Sequence, residues 1–263
     1  MPFSMTGKTT IITGAAAGIG LAIARRFAEA DANVMMVDSD DQALRRECRD
    51  MPAGSNAQRY CGDINEKLTI VNLLAATLDA YERVDVLVNA NLRWRHSDPM
   101  VSHDDALDEL FRHNVLANMR LTRLVADRMI QQAQDEGSDR AAGAIVNISA
   151  LVPENAPPEL FAFSISCAAL NRMTQSFASA LARHRIRVNA VAAGGVLATS
   201  LKRRSSAATQ QRESTDRAGP LDHIDETADI AETAQFLAAT GALAVTGEIM
   251  TIDSTYGSER RRP

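Results

Sequence analysis

An α/β fold built on a doubly wound parallel sheet of about seven strands is predicted for this 263-residue chain. Apolar β-type runs alternate with helical patterns from one end to the other, and several of these runs, Val84 to Asn89 and Ala144 to Ile148 among them, read as buried strands. Strands of that kind are buried on both faces, the condition of a parallel sheet covered by helices on each side. Right-handed crossovers then leave the doubly wound arrangement as the economical topology. There is no internal repeat, so residues 1–263 read as a single domain.

The elements follow in order. Thr9 to Thr13 reads as the first strand, and Ile19 to Ala30 as a helix with apolar residues at helical spacing. Asn33 to Val37 is the second strand, ending on Asp38, and a helix covers about Asp41 to Arg49. A short strand near Gln58 to Cys61 precedes a helix over Asn65 to Tyr81 and a buried strand over Val84 to Asn89. Asp104 to Gln134 reads as one long helix, Ala144 to Ile148 as a buried strand and Glu159 to Arg183 as a helix. Arg187 to Ala192 is strand, Glu226 to Ala239 helix, and Glu248 to Ile252 the last strand. Gln131 to Gly143 is polar, a surface excursion. The stretch Thr199 to Asp222, rich in Ser, Gln and Thr after Lys202-Arg203-Arg204, reads as a flap over the strand ends. It serves either as a substrate lid or as a solvated loop. The tail from Glu259 to Pro263 reads as a solvated end.

Composition bounds the function. Hydrophobic content of 46% and charged content of 23% are those of an ordinary soluble protein, and a net charge of −5 argues against nucleic acid as main partner. No apolar run is long enough to span a membrane, and the N-terminus runs straight into a strand pattern, unlike a signal peptide. Cys48, Cys61 and Cys167 share no metal or disulfide spacing, which fits a reducing cytoplasm. The five histidines lack ligand spacing, so no metal site is expected.

Between the first strand and helix lies Thr13-Gly14-Ala-Ala-Ala-Gly18-Ile19-Gly20. Glycines there permit a tight turn and let backbone amides approach a pyrophosphate at the helix N-terminus, as in a Rossmann-like fold. Asp38, ending the second strand, suits the two hydroxyls of an adenosine ribose and repels a 2′-phosphate. NAD is therefore the expected cofactor and NADP is disfavoured.

With these motifs the chain resembles the short-chain dehydrogenase/reductase family over nearly its whole length. Thr13 to Gly20 matches the family's glycine motif, and Cys61-Gly62-Asp63-Ile64 its adenine-contacting aspartate and following residue. Val88-Asn89-Ala90-Asn91 stands where the family has Asn-Ala-Gly, so Asn91 replaces a glycine beside the cofactor cleft, where its side chain is expected to crowd the adenine side. His113-Asn114-Val115 carries the asparagine that organises a proton relay. Arg187 to Gly194 resembles the segment ending in Pro-Gly, with Ala193 for proline, and Thr246 to Asp253 matches the final strand. The resemblance implies a cofactor-binding set of Gly14, Gly18, Ile19, Gly20, Asp38, Asp63, Ile64, Asn89 and Thr199.

It also implies a serine that polarises the substrate, a tyrosine that transfers the proton, and a lysine four residues later that favours the phenolate. Phe163-x-x-x-Cys167-Ala-Ala-Leu170 aligns with that Tyr-x-x-x-Lys pattern without a gap, and thirteen positions earlier stands Ala150. Asn114 alone of the four is retained. Phe163 carries no proton, Ala150 has no hydroxyl, and Cys167, inside a helix, reads as a small apolar filler. The expectation is a non-catalytic subunit assembling with an active paralogue, as in the dehydrogenase of the benzylsuccinate pathway. Assembly, or self-association, is expected through the helices at 104–134 and 159–183, whose apolar residues include Leu107, Leu110, Leu121 and Leu124, and Leu160, Leu170, Met173, Phe177 and Leu181. Two alternatives stay open: an NAD-dependent oxidoreductase using Ser149, water or another unusual donor, and an NAD-responsive binding protein.

Overall fold

In the computed structural model, residues 3–101, 105–137, 141–151, 158–194 and 226–253 are described. The strands are β1 (Thr9–Thr13), β2 (Asn33–Asp38), β3 (Asn56–Cys61), β4 (Val86–Asn89), β5 (Gly143–Ala150), β6 (Ile186–Ala193) and β7 (Ile249–Ile252). They form one sheet in the order β3-β2-β1-β4-β5-β6-β7, every pairing parallel. The helices are α1 (Gly18–Glu29), α2 (Asp41–Arg49), α3 (Lys67–Tyr81), α4 (Ala106–Phe111), α5 (Asn118–Asp135), α6 (Phe161–Leu181) and α7 (Glu226–Ala238). The flap at 199–222, with Thr199 and Lys202, lies outside the described residues, as do Tyr256 and the tail at 259–263.

Successive strand residues point to opposite faces, so each apolar strand feeds two cores. Ile12, Val34, Met36, Val88 and Val146 pack against Ile23 and Phe27 of α1 and Ile230 and Leu237 of α7. Their neighbours Ile11, Met35, Val37, Leu87 and Ile145 pack against Leu73 of α3 and Leu121, Val125 and Met129 of α5. Helices therefore cover both faces, as the sequence predicts. From β1 the chain runs outward through β2 and β3, then returns beside β1 as β4, where Ile12 pairs with Val88. A crevice opens at the carboxyl ends of strands at such a reversal.

Two elements depart from expectation. The helix predicted over 104–134 is interrupted: between α4 and α5 the backbone widens into a π-helical segment, Arg112–Ala117. There the Asn118 side-chain amide donates to the Asn114 carbonyl at 2.8 Å, an insertion into the helical ladder that periodicity cannot announce. Strands β5 and β6 each run to eight residues, so Ser149 and Ala150 lie within β5 and pair with Ala192 and Ala193. Among the described residues no helix is long and apolar enough to cross a membrane.

Some of the apolar side chains expected to serve an interface pack within the chain's own interior. Leu110, Leu121, Leu160 and Leu170 are buried, and Leu107, Leu124, Met173, Phe177 and Leu181 are partly so. The large apolar side chains that α6 exposes are Phe161 and Ile165.

Candidate functional site

A cleft of about 600 Å³ opens at the carboxyl ends of the strands. Its wall takes residues from the glycine loop, from the ends of β2 and β3, from the segment leaving β4, and from the ends of β5 and β6. The loop after β1 is shaped by two glycines. Gly14 has φ +67°, and a Cβ there would stand 2.6 Å from the Ala90 carbonyl oxygen. A Cβ on Gly20 would run into the Gly14 carbonyl, so α1 packs tightly on the loop. Ala17 supplies no side-chain cap to α1, which leaves its first-turn amides to an anion. Gly14, Gly18, Ile19 and Gly20 all line the cleft.

Asp38 also lines it, at the end of β2. One carboxylate oxygen accepts from the Ala16 amide at 3.1 Å and the other from the Asp40 amide at 3.1 Å. The carboxylate thus ties the glycine loop to the strand end at the cleft wall. Asp63 and Ile64 line the same end. Asp63 Oδ1 accepts from the backbone and side-chain nitrogens of Asn65, at 2.9 and 2.7 Å.

Asn89 does not line the cleft. It is fully buried and donates to Asn147 Oδ1 at 2.8 Å and Thr122 Oγ1 at 3.2 Å, bracing β4 against β5 and α5. In this structure Asn89, expected to serve the cofactor, braces the sheet. Asn91, in the family's glycine position, needs no left-handed backbone. Its Oδ1 accepts the Thr13 hydroxyl proton at 2.8 Å, while Thr13 Oγ1 accepts from the Ala90 amide at 3.0 Å. The replacement side chain therefore stitches the segment leaving β4 to the end of β1, and its Nδ2 is buried without a partner.

His113, on the π-helical segment, is also in the wall. The Asn65 side-chain nitrogen lies 3.0 Å from Nδ1 and can only donate, so Nε2 carries the proton and donates to the Asn91 carbonyl at 2.8 Å. Burial, with the charge of Arg93, holds the imidazole below its ordinary pKa, in keeping with this neutral tautomer. Asn114 is fully buried and lies behind the wall. Its Oδ1 accepts from the Arg93 amide at 2.8 Å and its Nδ2 donates to the Arg93 carbonyl at 2.8 Å and to Ser166 Oγ at 3.1 Å.

The chemical half is apolar. Ala150, Phe163 and Cys167 are 3%, 0% and 1% exposed and form one cluster with Ala106, Leu110 and Ala162, bordered by Leu92, Trp94 and Leu107. Ala150 lines the cleft, whereas Phe163 and Cys167 sit beneath it. Burial pushes the Cys167 thiol up to about 12, against the hydrogen bonds of Ala150, Ser166 and Ser149, which disfavours a thiolate near neutrality. Among the described residues of the wall there is neither a tyrosine nor a lysine. Tyr81 is committed elsewhere, donating to the carbonyls of Val34 and Asn56 at 3.2 and 3.0 Å. Ser149 is in the wall, its buried Oγ set against the Cys167 thiol, with which it shares a hydrogen bond. No group of three His, Cys, Asp or Glu is placed to hold a metal ion among the described residues.

Arg93 and Trp94 escaped the sequence reading. They follow a strand end and carry no periodic signal, but any residue leaving β4 beside the topological reversal faces the crevice, and that position was readable.

The family model described as enoyl-(acyl carrier protein) reductase matches residues 14–256. Short chain dehydrogenase/reductase astE of Aspergillus oryzae is 27% identical, covering 96% of this chain and 95% of that protein. Galactitol 2-dehydrogenase (L-tagatose-forming) of Cereibacter sphaeroides is 29% identical, covering 97% and 96%. A solved structure of 7α-hydroxysteroid dehydrogenase complexed with NADH and 7-oxo glycochenodeoxycholic acid superimposes with a TM-score of 0.81 at 26% identity, covering 96% of this chain and 95% of that one.

Proposed function

Because this chain belongs to the short-chain dehydrogenase/reductase family, we propose that it is a catalytically silent member that keeps the dinucleotide cleft and serves as the non-catalytic subunit beside an active NAD-dependent relative. The observation that carries this reading is the apolar packing of Ala150, Phe163 and Cys167, where proton transfer would need a hydroxyl, a phenol and an ammonium. The cofactor half fits a nicotinamide dinucleotide. The backbone of Gly14, Gly18, Ile19 and Gly20 would receive the pyrophosphate, Asp38 the adenosine ribose, and Asp63 and Ile64 the adenine side. When bound, such a cofactor supplies a hydride donor or acceptor. The carboxylate of Asp38 favours NAD over NADP by repelling a 2′-phosphate. Phe161 and Ile165, exposed on α6, support contact with a partner chain. Three free thiols at Cys48, Cys61 and Cys167 support a cytoplasmic setting.

The purified chain, given NAD and a panel of secondary alcohols, is expected to show no turnover, and isolation from its host is expected to bring down an active family member. Steady alcohol oxidation by the lone polypeptide, or an isolated homo-oligomer, overturns the reading. The Ser149 hydroxyl in the cleft wall favours one rival, an oxidoreductase in its own right. Turnover abolished by Ser149→Ala would select that rival.

A further inference from the structure

The residues leaving β4, Asn91 to Trp94, form a strap along the cleft wall that is pinned from behind. His113 holds the Asn91 carbonyl, and Asn114 takes both the amide and the carbonyl of Arg93. With its backbone committed in this way, the strap presents the Arg93 guanidinium and the Trp94 indole from a fixed frame.

Two residues of this wall carry a buried polar atom with no hydrogen-bond partner: Asn91 Nδ2 and Trp94 Nε1. Buried polar groups are ordinarily satisfied, and an orphan in a cleft wall marks where a ligand atom belongs. Both can only donate, so the complementary ligand is rich in acceptors. Arg93 adds positive charge. It is half exposed, and its ion partner Glu109, 3.5 Å away, is held more closely by Arg95 at 2.6 Å. The charge of Arg93 is felt in the same wall, since it helps to keep His113 neutral. Around these donors the lining is apolar, with Leu92, the Trp94 ring, Ile148, Ala150 and Ala193.

We propose that this end of the cleft binds an apolar carboxylate, its hydrocarbon body against Leu92, Trp94 and Ala150 and its oxygens receiving Trp94 Nε1–H and the Arg93 guanidinium. The proposal rests on the silent-cleft reading: nothing beside the ligand moves a proton, so the acid is held and released unchanged. Such a site reports the presence of an acid to a partner instead of transforming it.

Trp94 is the chain's one tryptophan, so its emission reads this wall directly. Three probes suffice: phenylacetate, the neutral 2-phenylethanol of similar shape, and NADH, whose binding appears as energy transfer from Trp94. Phenylacetate is expected to change Trp94 emission saturably and to bind at least about tenfold tighter than 2-phenylethanol. Arg93→Gln leaves the backbone bonds to Asn114 in place and is expected to weaken phenylacetate about tenfold without altering NADH binding. Trp94→Phe keeps an aromatic ring and deletes the donor; calorimetry is expected to show weaker phenylacetate binding with NADH unaffected. Equal affinity for the acid and the alcohol, or no effect of Arg93→Gln, overturns the proposal. The two readings fail separately. NADH binding without phenylacetate binding sinks the acid site alone, whereas NAD-linked oxidation of 2-phenylethanol sinks catalytic silence and leaves the affinity ratio to judge the acid site.

Discussion

Asn114 and Arg93 are joined reciprocally: the side chain of the first accepts from the backbone amide of the second and donates to its carbonyl, both at 2.8 Å. A side-chain amide used in this way stands in for a neighbouring strand. It lets a segment without regular structure keep a fixed backbone beside the cleft.

Asn114→Ala should therefore orphan both polar groups of Arg93. The expected loss is about 2–3 kcal/mol of stability, measured by urea unfolding, with greater quenching of Trp94 emission by acrylamide. Unchanged quenching would mean that the strap is held by other contacts.

The cluster beneath the cleft is tuned to be apolar, so restoring one family residue there should harm the fold. Cys167→Lys places an ammonium at a position that is 1% exposed and is expected to cost about 3–5 kcal/mol, the range for an uncompensated buried charge. Phe163→Tyr adds a hydroxyl with no placed acceptor and should cost about 1–3 kcal/mol. Thermal melts that do not move would show the space to be wetter than its packing implies.

His113 makes stability depend on pH in a defined direction. Its folded pKa lies below the ordinary value of 6.5, so under acid conditions the unfolded chain takes up the proton first. Stability is full above about pH 6.5 and falls as pH drops from there through the folded value. Unfolding free energies measured between pH 8 and 5 should decline, and His113→Gln should flatten that decline; an unaltered slope would assign it to other groups.

Asp38 predicts cofactor choice. Its carboxylate, held between the Ala16 and Asp40 amides, should give NADH at least a roughly tenfold advantage over NADPH, which Asp38→Ser narrows. Comparable affinities in the unaltered protein would remove Asp38 from the ribose site.

Much of this was readable from residues alone. Continuous apolar strands and helical spacing place the sheet, because β1, β2 and β4 bury both faces and leave no ambiguity of register with solvent. The glycine loop was legible for a steric reason, since Gly14 and Gly20 stand where a Cβ meets backbone. Spacing alone located Ala150, Phe163 and Cys167, but not that they would close on one another, a fact of packing between β5 and α6. The bonds of Asn89 to Asn147 and Thr122 were not legible, because a motif residue can serve the sheet as readily as the ligand. The burial of Leu110, Leu121 and Leu170 within the chain was equally hidden, since an apolar helical stripe does not say which neighbour it meets. The π-helical widening was invisible because it depends on the Asn118 side chain reaching the Asn114 carbonyl.

The buried trio of Ala150, Phe163 and Cys167 has a consequence for descent. Any first step back toward proton transfer meets a less stable protein before it meets a faster one, because a lone ammonium or a lone phenol is unwelcome there. On the reading proposed above, such a ratchet commits a lineage: once the greasy packing is in place, selection refines what the molecule holds and whom it accompanies, while the road back to chemistry stays closed to single mutations.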